Sequence, residues 1–176
     1  MSAAISRLTS VADAGAEAAA KVLAELVGCA VSHRQPVDRS HGSAGRTKDR
    51  STGIFFEVSG DLFGGVALLF GPRSHDRVVR CLLGDGDGGD LDPEAAFSAV
   101  CELSNIVASR TVSAVADTLG ARILLSPPNF ATGRAEYALE SWVSERRRLG
   151  PVLRFESELA DIEGSFEALL VFIVAS

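Results

Sequence analysis

Basic charge, aromatic rings and cysteine are all in short supply. Lys and Arg number 17 against 23 Asp and Glu, a formal net charge of −6 at pH 7. That balance excludes a protein that grips nucleic acid through a basic face. Only 6% of the residues are aromatic, which leaves few platforms for stacking bases. The three cysteines, Cys29, Cys81 and Cys101, are widely spaced in apolar surroundings. They read as buried reduced thiols of a cytosolic protein, not as a disulfide framework or a zinc site. Long apolar runs are missing too. No stretch approaches the length of a membrane span, and the Ala-rich start carries Arg7 but no continuous apolar core of a signal peptide. What is present, 47% apolar residues in a chain of 176, is enough for one good core. A single domain in the cytoplasm is the expectation.

The longest uninterrupted pattern runs over residues 93–119. Asp92, Pro93 and Glu94 mark a helix start: an N-cap carboxylate, a proline at the first helical position and an acid in the first turn. No Gly or Pro follows until Gly120, a C-cap. At about 100° per residue, Ser98, Glu102, Asn105 and Ser109 fall within about 60° of one another. Val100, Leu103, Val107, Thr111, Ala114, Val115 and Thr118 gather opposite them as the buried stripe.

The rest of the chain resolves around that helix. Residues 2–27 form an Ala-rich amphipathic helix that ends at Gly28, with a short strand over 29–33 before Pro36. Residues 37–51, rich in Ser, Gly and charge, read as a mobile solvated loop. Residues 54–58 and 66–70 make an apolar hairpin, followed by a short amphipathic helix over 74–83. The acidic linker 84–92 spaces Asp85, Asp87 and Asp90 somewhat like a calcium loop. Asp90 stands where such a loop needs its turn glycine and Ala96 where it needs its bidentate Glu, so a plain linker is expected. After the long helix come a strand at 123–125, a weaker helical pattern over 134–148, and a second hairpin of residues 153–159 and 166–174.

These elements repeat. Helix, Gly, strand and Pro recur with one offset of 92 residues, from Asp13, Gly28 and Pro36 to Asn105, Gly120 and Pro128. Each unit ends in a hairpin whose second strand contains Ala-Leu-Leu, at Ala67 and again at Ala168. The pattern predicts an α/β (α+β) domain with pseudo-twofold symmetry: a first repeat of about residues 1–83, a second of about 92–176, one continuous sheet, and the two long helices covering it.

Ser98-x3-Glu102-x2-Asn105-x22-Pro128, with Glu-Leu-x-Asn-Ile at 102–106 and the stop at Gly120, resembles the CheC/CheX/FliY phosphatases, whose motif is [Asp/Ser]-x3-Glu-x2-Asn-x22-Pro. Members of that family dephosphorylate the receiver protein CheY. The resemblance implies Glu102 and Asn105 as the catalytic pair, with Ser98 and Pro128 as supporting motif positions. At the first repeat the equivalents are Ser6, Ser10, Asp13 and Pro36, which lack both the Glu and the Asn. One working site in the second half is the CheX-like pattern. The family's small, glycine-containing stretch after its Asn is replaced here by Ala108-Ser109-Arg110.

The chemistry suits these side chains. Hydrolysis of a receiver's aspartyl phosphate needs an in-line water, while the receiver and its own Mg²⁺ supply the charge stabilisation. A carboxamide donates and accepts hydrogen bonds and holds a water without being consumed. A carboxylate one turn away pairs with a lysine beside the phosphate, and Ser98 stands one turn before it to orient it. No cofactor of the chain's own is required. The partners implied are a phosphorylated CheY-type receiver acting in trans, a CheD-like protein for a regulatory, non-catalytic module on the same fold, and a second copy in a homodimer. For the last, the apolar strands of the terminal hairpin read as an edge that needs covering.

Overall fold

The computed structural model describes residues 3–40, 50–84 and 92–175. In chain order the elements are α1 (Ala3–Val27), β1 (Val31–His33), β2 (Val37–Asp38), β3 (Thr52–Gly60), β4 (Phe63–Phe70) and α2 (Pro72–Leu83). Then follow α3 (Pro93–Leu119), β5 (Ile123–Leu125), β6 (Asn129–Thr132), α4 (Ala135–Arg147), β7 (Val152–Asp161) and β8 (Glu167–Ala175). All eight strands join one antiparallel sheet in the order β1-β7-β8-β4-β3-β5, with β2 also on β7 and β6 also on β3.

The repeat is written into the register. Gly60 pairs with Ile123 in one half, and Asp161 pairs with Val31 in the other. Phe55 pairs with Asn129 as Glu156 pairs with Val37. In the centre Ala67 meets Val171 and Phe70 meets Ala168, so the pseudo-twofold axis passes between Leu68–Leu69 and Leu169–Leu170. Pro36 and Pro128 each end a three-residue edge strand, where a missing N–H costs the sheet least.

Period-two alternation divides the apolar side chains between two cores. Val66, Leu68, Phe70, Leu170 and Phe172 face the layer of α1, α2 and α3. Helices α1 and α3 approach closely at Gly15, where a Cβ would stand 3.1 Å from Thr111 Cγ2 and 3.2 Å from Val115 Cγ2. The opposite face, carrying Phe55, Leu69, Val171 and Ile173, is covered by Leu139 and Val143 of α4. The two long helices thus cover one face, as the repeat implies, and the second repeat inserts α4 to cover the other.

Several expectations need correction. The terminal hairpin is no edge: β8 lies between β7 and β4, so its apolar strands are already paired and argue nothing for a homodimer. The described ends of the 37–51 segment are held by the fold, although Val37 and Asp38 remain exposed. Val37 and Asp38 pair with β7, Ser40 is buried, and Arg50 Nη1 donates to Glu136 Oε1 of α4 at 2.8 Å. None of the three free cysteines is fully buried, and Cys81 is exposed, with its thiol 3.4 Å from the Val27 carbonyl. Thr118 is exposed rather than part of the buried stripe, its hydroxyl donating to the Ala114 carbonyl one turn back. The acidic positions Asp85, Asp87 and Asp90 lie outside the described residues.

Candidate functional site

Helix α3 holds its residues in place by both ends. The Asp92 carboxylate accepts from the Glu94 and Ala95 backbone N–H groups at 3.4 and 3.3 Å. Gly120 closes the helix in the left-handed conformation, φ 64°, which a side chain would oppose. Between them the stripe of Val100, Leu103, Val107, Thr111 and Val115 is buried against the sheet and α1, which fixes the rotation of the helix. Ser98, Glu102, Asn105 and Ser109 are therefore turned outward, and all four are exposed.

Glu102 and Asn105 stand about 4.5 Å apart along the axis and about 60° apart around it, so their side chains emerge side by side. Among the described residues neither side chain has a hydrogen-bond or ion-pair partner. Nor does any hydrogen bond join Ser98 to Glu102, so the orienting bond anticipated for that serine is not formed here. Cys101, between Ser98 and Glu102 in the chain, is half-buried. Burial pushes its thiol above the ordinary value, offset only in part by a backbone hydrogen bond, which keeps it a weak nucleophile.

Pro128 is half-buried at the start of β6, away from α3 in sequence but tied to it in space. Phe130, two residues on, stacks against Phe97, the residue before Ser98, with ring centroids 4.6 Å apart and planes tilted by 53°. That contact brings the two distant parts of the motif together. Strand β6 itself escaped sequence reading, because four residues after Pro127-Pro128 show no alternation. The register of the first repeat's Pro36 and β2 was the signal that could have found it.

The first-repeat positions are arranged differently. Ser6 is exposed, and Ser10 donates its hydroxyl to the Ser6 carbonyl within α1. Asp13, at the place of Asn105, is bound to His33 of β1, Oδ1 to Nε2 at 3.1 Å. The position equivalent to His33 in the second repeat is Leu125, which offers Asn105 no such partner. Pro36 is buried. The two pseudo-symmetric surfaces thus differ chiefly at one position: Asp13 is tied to β1, while Asn105 is open to solvent. Arg110, in the departing segment, is exposed and lines a groove between α1 and α3 together with Lys21, Glu25 and Asp117.

Residues 96–131, which run from just before Ser98 to just beyond Pro128, match the model of the CheC-like family. The match covers the long helix and the strand that follows it, and it is a similarity of this segment. The fold around it is similar to that of solved CheX and FliY proteins. The chain is similar to CheX of Desulfovibrio desulfuricans, with a TM-score of 0.67 at 16% identity over 94% of this chain and 99% of that one. It is similar to FliY of Thermotoga maritima, TM-score 0.66 at 16% identity, over 96% and 88% of the two chains. A third similar structure is the CheX–CheY–BeF3–Mg²⁺ complex of Borrelia burgdorferi, TM-score 0.61 at 15% identity over 92% and 94%. At these identities the likeness is one of fold. Beyond it, the CheC-like segment here keeps Glu102 and Asn105 in the second repeat only. No helix among the described residues is long and apolar enough to cross a membrane.

Proposed function

We propose that this chain is a chemotaxis-type phosphatase that hydrolyses the aspartyl phosphate of a CheY-type receiver. The observation that carries the reading is the pair of exposed, unpartnered side chains Glu102 and Asn105, side by side on a rigid helix within a CheC-like segment. Pre-existing partners would have to be broken before docking, and here there are none to break. The Asn105 carboxamide holds the attacking water in line with the phosphorus, donating to one neighbour and accepting from the water. Glu102 pairs with the lysine beside the receiver's phosphate and sets the register of docking. The Mg²⁺ belongs to the receiver, and no metal of the chain's own takes part. The first repeat, with Ser10 and Asp13 engaged internally, contributes no second site.

The reading is tested by loss of phosphate from CheY-type receivers phosphorylated with acetyl phosphate in Mg²⁺. Wild type accelerates the loss, and Asn105→Ala and Glu102→Ala each slow it by about a hundredfold or more, the effect of removing a few kcal/mol of transition-state stabilisation. Both variants keep the fold, since neither side chain packs in the core. Wild type that binds receivers without accelerating hydrolysis sinks the phosphatase and leaves a regulatory module.

A further inference from the structure

Phe97 is 48% exposed at the edge of the polar stripe, while the other large apolar side chains of α3 are buried or partly buried. It does not hang free. Phe130, half-buried against the main core, holds it in a tilted ring contact at 4.6 Å. The two rings come from opposite ends of the motif in sequence, one next to Ser98 and the other two residues beyond Pro128, and meet in one aromatic pair. On the wheel Phe97 lies about 80° from Asn105, on the side away from Arg110 and the α1 groove.

Size decides what covers it. Phe97 precedes Asn105 by eight residues, about 12 Å along the axis. A standard protein interface covers about 800 Å² on each partner, a disc of about 16 Å radius. An interface of that size centred on Asn105 therefore also covers Phe97. Within such a footprint a pre-fixed aromatic side chain loses little conformational freedom on binding and gives up much water, the usual character of a binding hot spot.

We infer that the Phe97–Phe130 pair is the apolar anchor on which the phosphorylated receiver seats while its phosphate reaches Asn105. This rests on the receiver reading above and separates two tasks: the aromatic pair binds, and Glu102 and Asn105 act. The complementary surface on the receiver is an exposed apolar side chain close to its phosphorylation site.

The test measures Kd for receivers held in the phosphorylated form with BeF3 and Mg²⁺, together with kcat and KM for receivers phosphorylated by acetyl phosphate. Phe97→Ala and the milder Phe130→Leu raise Kd and KM, Phe97→Ala by about tenfold, with kcat within about twofold of wild type. Asn105→Ala shows the reverse split, a fall in kcat at nearly unchanged Kd. Tyr137→Ala, which removes an even more exposed aromatic side chain from α4 on the other face of the sheet, changes neither. A Kd within twofold of wild type for both Phe variants overturns the anchor while leaving the phosphatase standing. Absence of receiver binding by wild type overturns the receiver reading and the anchor with it. If Phe97→Ala instead converts a dimer to a monomer in light scattering and leaves receiver affinity intact, the rings cover a second copy of the chain and the proposal falls.

Discussion

Replacing Asp161 tests how the tip of the central hairpin is held, and the structure sets the size of the effect. One carboxylate oxygen of Asp161 accepts from the Ser165 and Phe166 backbone N–H groups at 2.8 and 3.1 Å. The other accepts from the Ser165 hydroxyl and lies 3.5 Å from Arg77 Nη1 of α2. Phe166 is fully buried, so its N–H has no water to turn to. Asp161→Ala orphans two backbone donors and removes the counter-charge of Arg77, which still donates to Ser165 Oγ; each missing partner costs about 1–3 kcal/mol when buried and less where water reaches it. A net loss of about 2–4 kcal/mol follows, roughly 5–15 °C in Tm for a domain of this size.

Asp161→Asn keeps an acceptor for both N–H groups and loses the charge, so it falls between. Its pH dependence has a definite sign. Burial alone would raise the Asp161 pKa. The Ser165 hydroxyl, the Phe166 and Ser165 N–H groups and Arg77 outweigh it and hold the carboxyl below its ordinary value. A depressed native pKa means stabilisation that is full above the unfolded-state value of about 3.9 and is lost as pH falls through the native one. Urea unfolding followed by circular dichroism from pH 7 down to pH 3 therefore shows a wild-type advantage over Asp161→Asn that shrinks at the acid end. An Asn variant within 0.5 kcal/mol of wild type at pH 7, or a gap that is independent of pH, refutes the reasoning.

Two further outcomes concern the face covered by α4. A Cβ on Gly65 would stand 2.3 Å from Trp142 Cη2 and 2.8 Å from the Phe56 carbonyl oxygen, so Gly65→Ala displaces the indole. With one Trp in the chain, loss of its 3.0 Å bond to Glu57 and of the Arg146 guanidinium stacked over it reads out directly as red-shifted, weaker-structured fluorescence. The accompanying loss of stability is about 1–3 kcal/mol, and an unchanged spectrum contradicts the packing described. Arg154, 1% exposed, meets Glu140 at 2.7 Å and Glu156 at 2.5 Å. Arg154→Met leaves Glu156 buried without its closest cation and costs about 3–5 kcal/mol in chemical denaturation, whereas adding Glu156→Leu restores much of it. A double variant no more stable than the single one counts against the pairing.

Where signals were local, the sequence was a good guide. Helix α3 has the anticipated bounds because Asp92, Pro93 and Gly120 act on their own backbone neighbours. The repeat was legible because Gly28 and Gly120, and Pro36 and Pro128, perform the same local task at the same spacing. Strand order is not local, and apolarity alone does not separate an edge that needs covering from a central strand: Leu169 to Ile173 is apolar at every position and lies in the centre. A strand apolar on both sides is buried on both sides. Followed through, that pattern demands a cover for the second face, which is the task of α4. Thr118 failed for a smaller reason, since the last turn of α3 runs past the layer that buries the earlier turns. At the candidate site the exposure of Glu102 and Asn105 on one helix face follows from helical periodicity, whereas their choice as a pair comes from the motif resemblance. The internal engagement of Asp13 follows from neither, because His33 reaches it only once β1 has folded beside α1.

The ladder at Leu68–Leu69 and Leu169–Leu170 has the form of an isologous subunit contact in which both partners belong to one polypeptide. Joining the halves through residues 84–92 makes their association unimolecular, so it is independent of protein concentration. It also relieves them of the need to be identical. A true homodimer of either half would have to carry two copies of whatever its long helix displays. Within one chain, α1 is free to settle Asp13 onto His33 as scaffold, while α3 leaves its polar residues open to a visitor. Asymmetry of task is what covalent linkage of a twofold makes available.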